Sequence, residues 1–173
     1  MNLKAQLVDS GRIVGEMVAL NVGNNPELFK QIVDMTLYEK RPMQSRAGRV
    51  LDLCTIKYPY LFLPHIDRIL EFGQQGNILH RSILYVFAET DIQLTEDQEG
   101  ILLDLCFVWL EKEQLEVAHI IFCFTILFRI VKNIPELAPE LAEAIKRIIQ
   151  TGSAGVKNRG ERILKELKKL NYI

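Results

Sequence analysis

The segment Ser45–Cys54 reads SRAGRVLDLC. It holds an arginine, Arg46, then two small residues, Ala47 and Gly48, then an apolar pattern through Val50, Leu51 and Cys54. With Ala47, those apolar positions lie three and four apart, which sets them on one side of an α-helix. One amphipathic helix settles little, but this one recurs. HRSILYVFA begins at His80 and NRGERILKE at Asn158. Each has a polar residue, an arginine (Arg46, Arg81, Arg159), a small residue (Ala47, Ser82, Gly160), and then apolar positions three and four later. A weaker copy, VAHIIFCF from Val117, keeps a small residue at Ala118 and has no arginine. Ala47 to Ser82 spans 35 positions, Ser82 to Ala118 spans 36, and Ala118 to Gly160 spans 42.

The segments in front of these copies echo one another too. YPYLFLPHIDRIL holds Pro59 and Pro64, IPELAPELAEAI holds Pro135 and Pro139, and NPELFKQIVDM is a shorter version with Pro26. Stripes at helical spacing run through Leu28, Phe29, Ile32, Val33 and Thr36, through Leu79, Ile83, Val86 and Thr90, and through Val156, Gly160, Ile163, Leu167 and Leu170. Alternating strands and Asn-Gly or Asp-Gly hairpin turns are missing. The breaks are short. Asn25 is placed to cap a helix opened by Pro26. Gly73 is expected to end a helix and Gly76 to precede the next. Thr95 is expected to start one whose first turn is acidic, as the helix dipole favours. About nine or ten helices of 10 to 18 residues follow from these signals.

A period of roughly 35 to 42 residues with two helices per unit is the signature of an α-solenoid. A helical pair this small cannot hide its apolar stripe alone, so it stacks on the next pair. The small residue lets the second helix approach its neighbour, and the arginine beside the loop is placed to bond carbonyls or acids of an adjoining unit. The sequence resembles HEAT and HEAT-like repeats of the armadillo type, whose members carry prolines in the first helix and an Arg followed by a small residue in the second. The likeness covers residues 25–170, with 2–22 as a degenerate first unit. It departs in the loop EKRPMQS, which lacks the usual Asp before Arg46. The resemblance implies an all-α fold, an α-α superhelix: a right-handed solenoid of about four to five antiparallel helix pairs in one domain over 1–173. Its units would be 1–24, 25–58, 59–92, 93–134 and 135–173. It also implies a non-enzymatic scaffold or adaptor that docks a protein. Second helices of such arrays line the concave side, which makes Arg49, Asp52, Tyr85 and Glu89 the candidate contacts.

Charge sharpens the alternatives. The 173 residues are 49% apolar and 25% charged, with a net charge of −1, which argues against non-specific nucleic-acid binding by the whole molecule. The charge is uneven: Glu89–Glu116 is acidic, and Lys146–Lys169 is basic, with eight bases and two acids, Glu161 and Glu166. HEAT-like folds also include enzymes that recognise alkylated DNA, and the basic segment would be the grip of a relative of these. Solvated helix faces are the simpler reading of both runs.

The remaining motifs point to packing. The longest strongly apolar run, IIFCFTILF, has nine residues, where a membrane helix needs roughly 20. The N-terminus lacks the pattern of a signal peptide, so a soluble, cytoplasmic protein is expected. Cys54, Cys106 and Cys123 sit among Leu, Phe and Ile and read as reduced core thiols. His119 and Cys123 share a helical face and, with Asp104 and Cys106, are the only hint of a metal or catalytic site; core packing is the expectation for the His and Cys residues. A buried Asp104 would carry a raised pKa, against which stands an Asp that is hydrogen-bonded or on an exposed sliver of its helix. His65 and His80, at helix starts, are expected to face solvent. GSAGVK, Gly152–Lys157, has the wrong spacing for a phosphate loop and reads as a turn. Leu-Asp-Leu-Cys occurs twice, from Leu51 on a second helix and from Leu103 on a first helix. No nucleophile elbow, zinc-protease motif or Gly-rich nucleotide loop occurs, and no cofactor is implied.

Overall fold

A computed structural model describes residues 2–8 and 11–173 of the chain. They form ten α-helices and three short 3-10 turns, with no strand among the described residues. The chain makes two compact units, one ending at Leu94 and the other spanning Thr95–Ile173.

The first unit holds α1 (Leu3–Gln6), α2 (Arg12–Val22), α3 (Pro26–Tyr38), α4 (Met43–Lys57), α5 (Ile66–Gln74) and α6 (Arg81–Glu89). Asn25 caps α3: its side-chain oxygen accepts from the Glu27 and Leu28 amides at 3.0 and 3.1 Å, with Pro26 in the first turn. α4, the helix of SRAGRVLDLC, is the centre of this unit. It packs against α2, α3 and α6, and Ala47, Val50 and Leu51 are fully buried beneath it. α5 is entered through two 3-10 turns, Pro59–Leu61 and Leu63–His65, and lies over α3. Tyr38 and Phe72 meet edge to face at 5.4 Å, and Arg68 of α5 donates to the Asp34 carboxylate of α3. Phe62 packs edge to face on Phe87 of α6, 5.4 Å between centroids.

The second unit holds α7 (Glu96–Leu110), α8 (Val117–Asn133), α9 (Ala138–Thr151) and α10 (Ala154–Lys169), with a 3-10 turn at Pro135–Leu137 before α9. Thr95 makes a full capping box with Gln98 at the start of α7. α8 packs against α7, α9 and α10, which explains its wide apolar surface and its buried Cys123, Phe124, Leu127 and Val131. α7 looks equally apolar in sequence, yet its principal helical partner is α8, and Val108 is left 59% exposed.

Five long-range contacts recur at nearly one spacing, four of them between side chains and one from the Cys54 thiol to the Ala19 carbonyl; the Asp52–Ser82 bond, at 30 residues, is shorter. Lys4 pairs with Glu39, Ala19 with Cys54, Asp34 with Arg68, Glu111 with Arg147, and Thr125 with Arg159, separations of 35, 35, 34, 36 and 34 residues. A residue and its neighbour one repeat later are in contact, as stacked helical pairs require. Two of the three arginines, Arg46 and Arg159, bond residues 34 to 39 positions earlier in the chain. Arg46 donates through Nη1 to the carbonyls of Leu7, at 2.9 Å, and Val8. Arg159 donates from Nε and Nη2 to the Thr125 hydroxyl at 3.0 and 2.6 Å. Arg81 stays exposed and acts on Asp52 through its charge. Of the small residues, Gly160 is closely invested: a Cβ there would lie 2.6 Å from Ile149 Cγ2. The start of α6 comes close to α4 at Gly48, where a Cβ would lie 2.6 Å from His80 Cε1 and 2.8 Å from Ser82 Oγ.

Some expectations need correcting. His65 and His80 do not face solvent; both are buried. His65 stacks on Phe29 at 5.8 Å between centroids, and burial holds it below the usual imidazole range, with the Arg68 charge adding to the effect. His80 caps α6, its Nδ1 accepting from the Ser82 amide at 3.2 Å. α5 runs past Gly73, which is buried within it, and the chain reverses at Gly76 with φ +91°. Leu170, read as the end of the last stripe, lies just past α10 and is 39% exposed. α1 has 4 residues and α5 and α6 have 9 each, shorter than the spacing predicted.

Candidate macromolecule-docking surface

The four residues singled out as contacts lie on two neighbouring helices of the first unit: Arg49 and Asp52 on α4, Tyr85 and Glu89 on α6. Arg81, Tyr85 and Glu89 recur every four residues along α6, so they share one edge of it; Arg81 and Glu89 are exposed and Tyr85 is half-buried. Arg49 is exposed at its head, and its stem lies against the backbone of α2, where a Cβ on Gly15 would sit 3.2 Å from Arg49 Cδ. Asp52 is tied across to α6: the Ser82 hydroxyl donates to its Oδ2 at 3.0 Å. Burial pushes the Asp52 carboxyl up to about 6, while the Ser82 hydrogen bond and the charges of Arg81 and Arg49 pull the other way. The result is a half-buried carboxylate under the charge of two exposed arginines, on helices held together by the close contact of Gly48 with His80 and Ser82.

A family model described as a HEAT repeat domain matches residues 9–167. This chain belongs to the HEAT repeat family. No curated protein and no solved structure matches it. The matched span begins at residue 9 and so takes α2 into the HEAT repeat domain, where the sequence reading placed only a degenerate unit.

Three features of this HEAT repeat protein escaped the sequence reading. Ser82 was read only as a small packing residue, yet it anchors Asp52. Arg81 was read as a loop-facing bond donor, yet its charge joins the Asp52 cluster. The third is an apolar groove of about 280 Å³ between α2 and α4, lined by Leu20, Leu53, Cys54 and Tyr58, with Glu16 and Lys57 at its rim. The available signal was the repeat period itself, which sets Ala19 and Leu20 one unit before Cys54. Lys57 lies over the Tyr58 ring, 5.3 Å from its centroid.

The other HEAT repeat candidates disperse. Asp104 points out of α7 and is exposed, whereas Cys106, two residues on and about 200° around the helix, is fully buried. Cys106 instead meets Cys123 of α8, and burial together with that thiol–thiol hydrogen bond holds it well above the usual thiol range. His119 lies within 3.8 Å of the Glu116 carboxylate on its own helix. The described residues hold no group of three such side chains able to bind a metal. The basic run Lys146–Lys169 divides between α9 and α10. Arg147 is paired with Glu111, and Arg159 is bound to Thr125. Lys157, Arg162, Lys165, Lys168 and Lys169 remain exposed, interleaved with exposed Glu161 and Glu166. No helix among the described residues is long and apolar enough to cross a membrane.

Proposed function

We propose that this protein is a non-enzymatic HEAT-repeat scaffold, working in the cytoplasm, that docks a protein partner on the α4–α6 surface of its first unit. The carrying observation is the grouping of Arg49, Asp52 and Arg81: the Ser82 hydroxyl holds the carboxylate at 3.0 Å, and both arginines are exposed residues whose charges act on it. A carboxylate already held in place favours recognition, because little of its side-chain freedom is lost on binding. Tyr85 adds a half-buried aromatic body with a polar tip, the residue type enriched at docking hot spots. Three buried free thiols suit the reducing cytoplasm.

The test is affinity capture from the native extract with the wild-type chain, Arg49→Ala and Glu89→Ala, followed by a binding titration with the captured partner. Each substitution should weaken binding about fivefold or more, a loss on the order of 1 kcal/mol. Both sites are solvent-facing, so the melting temperature should move by no more than about two degrees. Unchanged affinity in both variants would remove this surface from the function.

A further inference from the structure

Cys106 lies on α7 and Cys123 on α8, and both are fully buried. The two helices pack on each other and are joined by the short connection 111–116, so they form an antiparallel hairpin. Cys106 sits four residues before the end of α7 at Leu110, and Cys123 six residues after the start of α8 at Val117. At roughly 1.5 Å of rise per residue these are about 6 Å and about 9 Å from the connection, so the two cysteines fall at nearly one level of the hairpin. Both turn inward, and their thiols meet in a hydrogen bond across the helix interface.

We propose that Cys106 and Cys123 form a latent disulfide that fastens α7 to α8 when a disulfide oxidant, such as oxidised glutathione, accumulates. In the closed hairpin the oxidant cannot reach either sulfur, and burial together with the thiol contact keeps Cys106 protonated. The reaction therefore waits for α7 to part from α8. In the opened hairpin the thiolate of one cysteine attacks a sulfur of glutathione disulfide. That S–S bond breaks, and the first glutathione leaves as a thiolate and takes up a proton. The thiolate of the second cysteine then attacks the protein-bound sulfur of the mixed disulfide. The Cys106–Cys123 bond forms and the second glutathione leaves. The pair gives up two electrons and two protons, and one glutathione disulfide becomes two glutathione thiols. The second attack closes a loop of only 17 residues, and the hairpin refolds around sulfurs that were already neighbours. α8 is the principal helical partner of α7, so the bond secures α7 at the contact on which it depends. A reducing compartment keeps the pair as thiols. The α4–α6 docking surface takes no part.

The full chain is held in excess oxidised glutathione under native conditions, its free thiols are alkylated, and the non-reduced peptides are weighed. A peptide joining Cys106 to Cys123, lighter by two hydrogens, should accumulate. Cys54, the only cysteine of the first unit, should carry glutathione or stay free. Hydrogen exchange in α7 of the linked chain should slow by about tenfold or more, and a reductant should restore the original rate. Cys123→Ser should stop at a glutathione adduct on Cys106 and show no such slowing; the wild-type peptide map stands whether or not that variant folds. Separate adducts on Cys106 and Cys123 with no joining peptide, a link from either to Cys54, free thiols after a time in which the α7 amides have exchanged, or a linked chain whose α7 exchanges no more slowly would each overturn the proposal.

Discussion

Asp52 is half-buried and touched by one hydroxyl, and its carboxyl is pushed up to about 6. An unfolded aspartate titrates near 3.9. Between those two values the folded chain holds the proton more tightly, so the group's contribution to stability falls as pH rises through the window from about 4 to about 6. Above it the buried charge is a standing cost. Asp52→Asn keeps an oxygen for Ser82 and removes that charge. The variant should be more stable than wild type at pH 7.5, by up to about 2 kcal/mol, and the difference should vanish by about pH 4; thermal melts across pH measure both. Gly48 sets the opposite expectation. A Cβ there meets His80 Cε1 at 2.6 Å, Nδ1 at 2.7 Å and Ser82 Oγ at 2.8 Å. His80 is buried and caps α6, so it has little room to yield. Gly48→Ala should cost about 2 kcal/mol and lower the melting temperature by about 4–8 °C, even though alanine is the better helix former.

Among the elements, α1 is held by buried Leu3 and Leu7, by the Lys4–Glu39 pair and by a clasp from Arg46. Its four residues are too few for an independent helix, and Arg46 holds its end by two carbonyls from 39 and 38 residues away. Arg46→Ala should loosen its C-terminal end. Hydrogen exchange at residues 3–8 should accelerate by about tenfold or more, the worth of one charge-assisted hydrogen bond, while exchange in α4 itself slows or holds. At the start of α7, Thr95→Ala removes one arm of the capping box and should cost about 1 kcal/mol in a denaturant titration. Elements of this kind were the most legible in the sequence. Asn25–Pro26 and Thr95–Gln98 are local signals, and local chemistry decides them. What failed was decided by neighbours. The two histidines were read from position alone, but Phe29 covers His65 and α4 covers His80. α5 outran Gly73 because that glycine is packed against the core rather than placed at a turn. α7 and α8 are both broadly apolar in sequence, and only the packing partners of each distinguish them.

For the whole molecule, the repeat period was readable because it is written in the spacing of arginines and small residues, and the 34 to 36 residue separation of paired side chains is the same period in space. The candidate surface was only half readable. Periodicity places Arg49, Asp52, Tyr85 and Glu89 on second helices, but that Ser82 and Arg81 complete the cluster depends on the register between α4 and α6, which no local pattern encodes. Charge carries a prediction at this scale. With a net charge of −1, and with the lysines of α10 interleaved with Glu161 and Glu166, the chain should not retain duplex DNA even at about 50 mM salt, where phosphate contacts are strong. A salt titration by fluorescence anisotropy reads this out, and retention that weakens steeply with salt would reinstate the basic segment as a grip.

The three thiols are distributed so that each unit carries its own: Cys54 in the first, Cys106 and Cys123 in the second, all buried. Burial raises Cys54 to about 11, so a closed molecule is doubly protected from an alkylating reagent. Labelling then proceeds only through transient opening, and its rate at each cysteine, read by peptide mass, clocks how often that part of the chain comes apart. Nature has thus supplied a pair of stopwatches, one per unit, that need no engineered probe.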